Sequence, residues 1–218
     1  MGMSNGHQAL WRQMKSAGVI KSGQFSLCYS LSDEEIVKNG THAGAITMGG
    51  TDTRLHQSSM VFAAASKVGE FHGLRFRKVY LLDPTVNEWE DISSENSVQV
   101  DVSEQTLNDN GVILDSGTTD TYITSAIASA FRSAWSSYVD VRYDNNGMKL
   151  TKKQLESLPT ILFQFQGVDG NGFTAGNVDN CVGLAGCLDS DNPNDILVAV
   201  PIYQYLSYNS QTKLYEPT

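Results

Sequence analysis

An all-β fold, built from antiparallel sheets with a few short helices, is what this sequence predicts. Three features carry the prediction. Short apolar stretches alternate with a period of two, polar clusters rich in Gly, Asp, Asn and Pro punctuate them, and no regular helical crossover separates one from the next as a parallel α/β sheet would need.

The elements follow in order. Ala9, Leu10, Met14 and Ala17, with Trp11, fall near helical spacing, and Gly18 supplies a stop after Lys15. Gln24 to Leu31 alternates, with Phe25, Leu27, Tyr29 and Leu31 on one face, the mark of a half-buried strand. Asp33 to Thr41 is charged and turn-like, and Ala45 to Met48 is a short strand closed by Gly49-Gly50. Gly73 to Leu82 reads as one alternating strand that ends in the Asp83-Pro84 turn. Val98, Val100 and Val102 alternate, as do Val112 and Leu114. A helix is predicted over Ser125 to Tyr138, where Ile127, Ala130, Phe131, Ala134, Trp135 and Tyr138 share a side. Lys152 to Ser157 forms a helical turn before Pro159, Ile161 to Phe165 a strand, Gly167 to Asn194 a long surface loop, and Ile196 to Val200 a last strand before Pro201 and a Tyr-rich segment.

Composition removes several function classes. The chain has 218 residues, with 15 Lys and Arg against 24 Asp and Glu, a net charge of −9. With a pI near 4.8 it offers no basic face to a nucleic-acid backbone. No stretch approaches the ~18 apolar residues of a membrane span. Met1 to His7 carries neither the basic nor the apolar region of a signal peptide. Three cysteines are too few for a disulfide scaffold or a closed zinc site.

One segment carries chemistry: Gly111-Val112-Ile113-Leu114-Asp115-Ser116-Gly117-Thr118-Thr119. An apolar strand running straight into a carboxylate is expected to push Asp115 toward a desolvated site, where its charged form is costly. Gly117 permits a tight turn whose N–H groups aim back at the carboxylate, and Ser116 and Thr118 supply hydroxyls that hold its oxygens in a plane. A carboxylate so oriented is a candidate general base for activating water. The same residues also make an ordinary turn with an Asx hydrogen bond.

With its surroundings, this segment resembles the second catalytic loop of the pepsin-like aspartic proteases, in the Asp-Ser-Gly-Thr-Thr form. Phe25-Ser26-Leu27 and Gly44 to Asp52 resemble that family's strand passing between its two lobes. Leu158 to Phe163 and Val200 to Leu206 resemble later segments, in the family's order. The resemblance implies an incomplete pepsin-like lobe: residues 1–40 as the end of a first lobe and the inter-lobe strand, and 41–218 as a second, catalytic lobe cut short at its end. It implies hydrolysis of polypeptides by a water held between two Asp carboxylates that share a proton. Asp115 would be the catalytic carboxylate of the second lobe, Ser116 would brace the two loops, Gly117 would donate its N–H and Thr118 would orient the carboxylate. Thr119 and Tyr122 are candidates for the substrate cleft. The implied location is secreted, or vacuolar or endolysosomal.

The pattern also breaks. Asp52-Thr53-Arg54 has Arg where the turn needs Gly, Asp120-Thr121-Tyr122 fails likewise, and no other Asp-[Thr/Ser]-Gly occurs. The first catalytic loop and its flap Tyr are therefore expected upstream of residue 1, and a closing hydrophobic-Gly strand beyond residue 218. The chain alone is expected to have little or no activity, its partner being the first lobe of the same protein. An alternative is a non-catalytic pepsin-like domain that binds peptides or inhibitors. A third reading, a lectin-like β-sandwich, expects Asp115 to lie exposed on an ordinary turn.

No metal or cofactor is expected. His7, His42, His56 and His72 are scattered, without a zinc-hydrolase spacing. Gly170 to Ala175 fits the dinucleotide fingerprint only loosely, with no helical pattern after it. Asp189, Asp191 and Asp195 lack the central Gly of a calcium loop and read as a solvated acidic loop. Cys181 and Cys187 are close enough to close a small disulfide loop in an oxidising compartment, leaving Cys28 as a buried free thiol. Asn39-Gly40-Thr41 is a glycosylation sequon, usable only on secretion.

Overall fold

The computed structural model describes residues 3–29, 44–56, 60–118, 121–143, 147–169 and 182–217. The sequon at Asn39, His42, Thr119, Asp120, the Gly170 to Ala175 stretch and Cys181 lie outside the described residues. The chain divides into two compact units, Met1–Met60 and Val61–Thr218. Among the described residues, no helix is long and apolar enough to cross a membrane.

The first unit holds a helix, α1 (Leu10–Ser16), and an antiparallel ribbon of β1 (Phe25–Tyr29) and β2 (Gly44–Met48). The helix stops where Gly18 takes a left-handed φ of 71°. There the Gly18 N–H donates to the Lys15 carbonyl and the Val19 N–H to that of Met14, a Schellman closure that satisfies two orphan carbonyls. In the ribbon, Leu27 pairs with Ile46 and Phe25 with Met48, but no residue of either strand is fully buried and Tyr29 is exposed. A lone pair of strands leaves much of both faces wet, so the period of two is present without the burial it suggested. Cys28 is a half-buried free thiol.

The second unit is built on a four-stranded antiparallel sheet in the order β6-β5-β8-β9, with β5 at Phe76–Leu82, β6 at Ser97–Gln99, β8 at Thr160–Phe165 and β9 at Ile196–Val200. Alternation in its central strands sorts two cores. Val79 and Leu81 of β5, with Ile161 and Phe163 of β8, pack against Ile127, Phe131, Ala134 and Trp135 of a 14-residue helix at Ser125–Tyr138. Tyr80, Leu82 and Leu162 face the other way, with Ile92, Ala185 and Leu197. Trp135 is fully buried, and its indole N–H donates to the Val141 carbonyl at 2.9 Å, so the ring buries no unpaired polar atom.

A second sheet has the order β3-β4-β7, from Ala65–Val68, Phe71–Leu74 and Val112–Ile113. The stretch from Gly73 to Leu82, expected as one strand, thus divides between two sheets at Arg75. Asn108 makes the break possible. Its side-chain amide accepts from the Phe76 N–H at 2.9 Å and donates to the Phe76 carbonyl at 2.7 Å, standing in for a neighbouring strand. Asn108 ends a short helix, α2 (Glu104–Asn108), whose N-terminus is capped by Ser103 accepting from the Thr106 N–H. The helix over Ser125–Tyr138 is α3. It is followed by α4 (Lys152–Glu156), opened by a capping box between Thr151 and Gln154, and α5 (Ile202–Tyr205). The Tyr-rich end folds as a hairpin, β10 (Leu206–Asn209) with β11 (Leu214–Pro217), joined to Met148 through a backbone bridge at Tyr215.

Candidate active site

Asp115 lies two residues past the end of β7, and the way that strand is held fixes where the carboxylate begins. Ile113 pairs with Gly73 and Val112 with Leu74, and the Leu114 N–H donates to the His72 carbonyl at 2.9 Å. Glycine in the middle of β4 is normally a cost, and here it reflects a close approach of backbones. A Cβ at Gly73 would stand 2.5 Å from the Ser66 carbonyl oxygen and 2.7 Å from Val68 Cγ2. The bare backbone lets β3 close on β4, and β4 in turn carries β7.

The turn itself is local. The Gly117 N–H donates to Asp115 Oδ1 at 2.8 Å, and the Thr118 hydroxyl donates to Oδ2 at 2.7 Å, so each carboxylate oxygen has one fixed donor. The Thr118 hydroxyl, then the Gly117 N–H, hold the Asp115 carboxyl below its usual range, against a smaller opposing effect of burial. The group is therefore ionised and oriented through mildly acidic pH.

Its environment corrects the expectation of a desolvated carboxylate. Asp115, Ser116, Gly117 and Thr118 are all exposed, and so are Ile113 and Leu114. The apolar run does not imply burial because β7 is only two residues long and, among the described residues, pairs on one side alone, with β4. The lowered acidity of Asp115 comes from donors within three residues of it, not from a low dielectric. Tyr122, a candidate for the cleft, is 78% exposed. The arrangement presents an accessible, oriented carboxylate flanked by apolar surface at Leu114 and Ile113.

A second carboxylate region contradicts the expectation of a solvated loop. Asp189 and Asp195 are each only 4% exposed, while Asp191 is exposed. They meet over Gln164 of β8, itself fully buried. The Tyr80 hydroxyl donates to Gln164 Oε1 at 2.8 Å, and Gln164 Nε2 donates to Asp189 Oδ2 at 2.8 Å and Asp195 Oδ2 at 3.0 Å. Lys78 Nζ lies 2.9 Å from Asp189 Oδ2, and Arg77 Nε 3.1 Å from Asp195 Oδ2. The Gly167 N–H donates to Asp195 Oδ1 at 2.9 Å, and Asn192 to Asp189 Oδ2 at 3.1 Å. Arg77 continues the chain to Glu104 of α2, which also pairs with Arg75. Sequence reasoning missed this network. The one available signal was Gln164, a polar residue at a core position in the apolar strand Ile161 to Phe165. Cys187, in the same segment, is disulfide-bonded.

Among the described residues, no group of three or more His, Cys, Asp and Glu side chains is placed to hold a metal ion. A lectin-like sandwich expects an exposed Asp115, and exposure is what the structure has, so burial does not separate the readings. Likeness to known proteins does. A comparison with curated proteins finds no match. The family model described as eukaryotic aspartyl protease matches residues 2–177, a span that covers the first unit from Gly2 and the second as far as residue 177, with the β3-β4-β7 sheet and the Asp115 turn inside it. The chain belongs to the eukaryotic aspartyl protease family.

Proposed function

We propose that this chain contributes one half of an aspartic endopeptidase centre, with Asp115 as its catalytic carboxylate. The observation that carries the reading is the Asp115 turn: an exposed carboxylate with one donor fixed on each oxygen, inside the region matched by the family model. Such a group can accept a proton from water as the water attacks a peptide carbonyl. It cannot also protonate the carbonyl oxygen while ionised, so the reaction needs a second carboxyl group that keeps the shared proton. No second Asp-[Thr/Ser]-Gly occurs in the sequence. The partner carboxylate belongs, on this reading, to a first lobe of the same protein, with residues 1–40 as the end of that lobe and 41–218 as the second. Ser116 braces the two loops, while Thr119 and Tyr122 line the cleft for an extended polypeptide. The disulfide at Cys187 supports an oxidising setting, secreted or vacuolar.

The division of labour is tested by assaying the chain alone on an unstructured protein substrate at acidic pH, beside Asp115→Asn. Hydrolysis at background in both is expected. Robust hydrolysis lost in Asp115→Asn would overturn the need for a second lobe.

A further inference from the structure

We propose that residues 182–195 form a pH-sensitive latch, closed over the Tyr80 and Gln164 face of the four-stranded sheet while Asp189 is ionised and released when acid neutralises it. The inference is independent of the peptidase reading and rests on the direction of every hydrogen bond in the network. Asp189 Oδ2 receives three donors, from Gln164, Lys78 and Asn192, and Asp195 receives donors on both oxygens, from Gln164, Arg77 and Gly167. The donors converge on negative charge. Lys78 and Arg77 can only donate, and Gln164 turns its amide nitrogen inward because its oxygen is already taken by the Tyr80 hydroxyl.

These bonds are what tie the segment to the sheet by its polar groups. Its backbone adds a short tie to the edge strand, where the Leu197 N–H of β9 donates to the Gly183 carbonyl and Leu184 bridges Ile196, while the bonds from Ala185 N–H to Asp195 O and from Asp189 N–H to Ala185 O stay within the segment. Closure places Leu184 and Ala185 out of water, and Ala185 packs with Leu162 and Leu197. Neutralising Asp189 leaves the Lys78 ammonium without its counter-charge and weakens three hydrogen bonds at one atom. That is costly on the Asp189 side, which is buried, while Lys78 keeps some contact with water.

Among the described residues, the charged and titratable groups facing the network are Lys78, Arg77 and Tyr80 of β5, Glu104 of α2 through Arg77, and Asp195 of the segment itself. Burial pushes the Asp189 carboxyl up. The hydrogen bonds from Gln164, Lys78 and Asn192, with the Lys78 charge, outweigh that and hold it below the usual value. A carboxyl lowered on folding stabilises the closed form above its unfolded pKa, and that contribution is lost as pH falls through the folded value. The latch therefore stays shut in mild acid and opens below the ordinary carboxylate range.

Amide hydrogen exchange on the full chain between pH 7 and pH 2, corrected for intrinsic rates, tests this by comparing peptides over 182–195 with peptides over α3. In Lys78→Met, the pH at which 182–195 loses protection is expected to rise by about 1–3 units, or the segment to be open already at pH 7, while α3 keeps its wild-type profile. A midpoint that does not move, or that moves together with α3, overturns the proposal. Should Lys78→Met fail to fold, Asp189→Asn decides: protection over 182–195 is then expected to lose its dependence on pH until α3 itself opens, and retention of the wild-type dependence overturns the latch.

Discussion

Asp115 and Asp189 are both held more acidic than an ordinary aspartate, and they reach that state by opposite routes. Asp115 is exposed and takes its donors from Gly117 and Thr118, two and three residues along the chain. Asp189 is buried, and its partners include Gln164 and Lys78, on strands far away in sequence. The first arrangement is a turn made by four consecutive residues. The second exists only when the sheet is assembled. An accessible carboxylate with local donors can meet a substrate without disturbing the core, whereas a buried one with distant donors reports whether the core is intact. Acidity alone does not distinguish a catalytic carboxylate from a structural one; accessibility and the origin of the donors do.

Substitutions sharpen this contrast. Asp195→Ala leaves the half-buried Arg77 with only Glu104 to pair, where breaking a fully buried ion pair from one side costs about 3–5 kcal/mol. The remaining partner and the partial exposure of Arg77 put the expected loss at or below the lower end of that range, read as a fall in the urea midpoint. Gly73→Ala drives a methyl group toward the Ser66 carbonyl. It is expected to cost about 1–3 kcal/mol by overpacking and to loosen the Leu114 amide in hydrogen exchange, since β4 carries β7. Thr118→Val removes one of the two donors to Asp115. The Asp115 carboxyl is then expected to rise toward its usual value in an NMR titration, with no change in the melting temperature. Asp115→Asn itself is expected to leave the melting temperature at wild type, because no buried partner depends on it. A large loss there would move Asp115 into the structural class.

How much was legible in the sequence follows the same division. Local features were readable: the Gly18 helix stop, the α3 face from Ile127 to Tyr138, and the bonds that Gly117 and Thr118 make to Asp115. Features requiring two distant segments were not. The break at Arg75 depends on Asn108 substituting for a strand, and β3 carries too little apolar alternation to show by itself. A Gly- and Asn-rich stretch resembles a surface loop and so puts Asp189 and Asp195 in water, and only Gln164, a polar residue at a core position, hints otherwise. The candidate site was legible as a motif and misjudged as an environment. An apolar run before Asp115 suggests burial, yet in a strand this short, paired among the described residues on one side alone, Val112 is half-buried and Ile113 and Leu114 are exposed.

The most direct measurement is acid-pH hydrolysis of an unstructured polypeptide by this chain combined with the first lobe that the proposed function requires, with Asp115 intact or replaced by Asn. The account expects turnover in the first protein and its loss in the second, with both equally folded. Turnover undiminished by Asp115→Asn would contradict it.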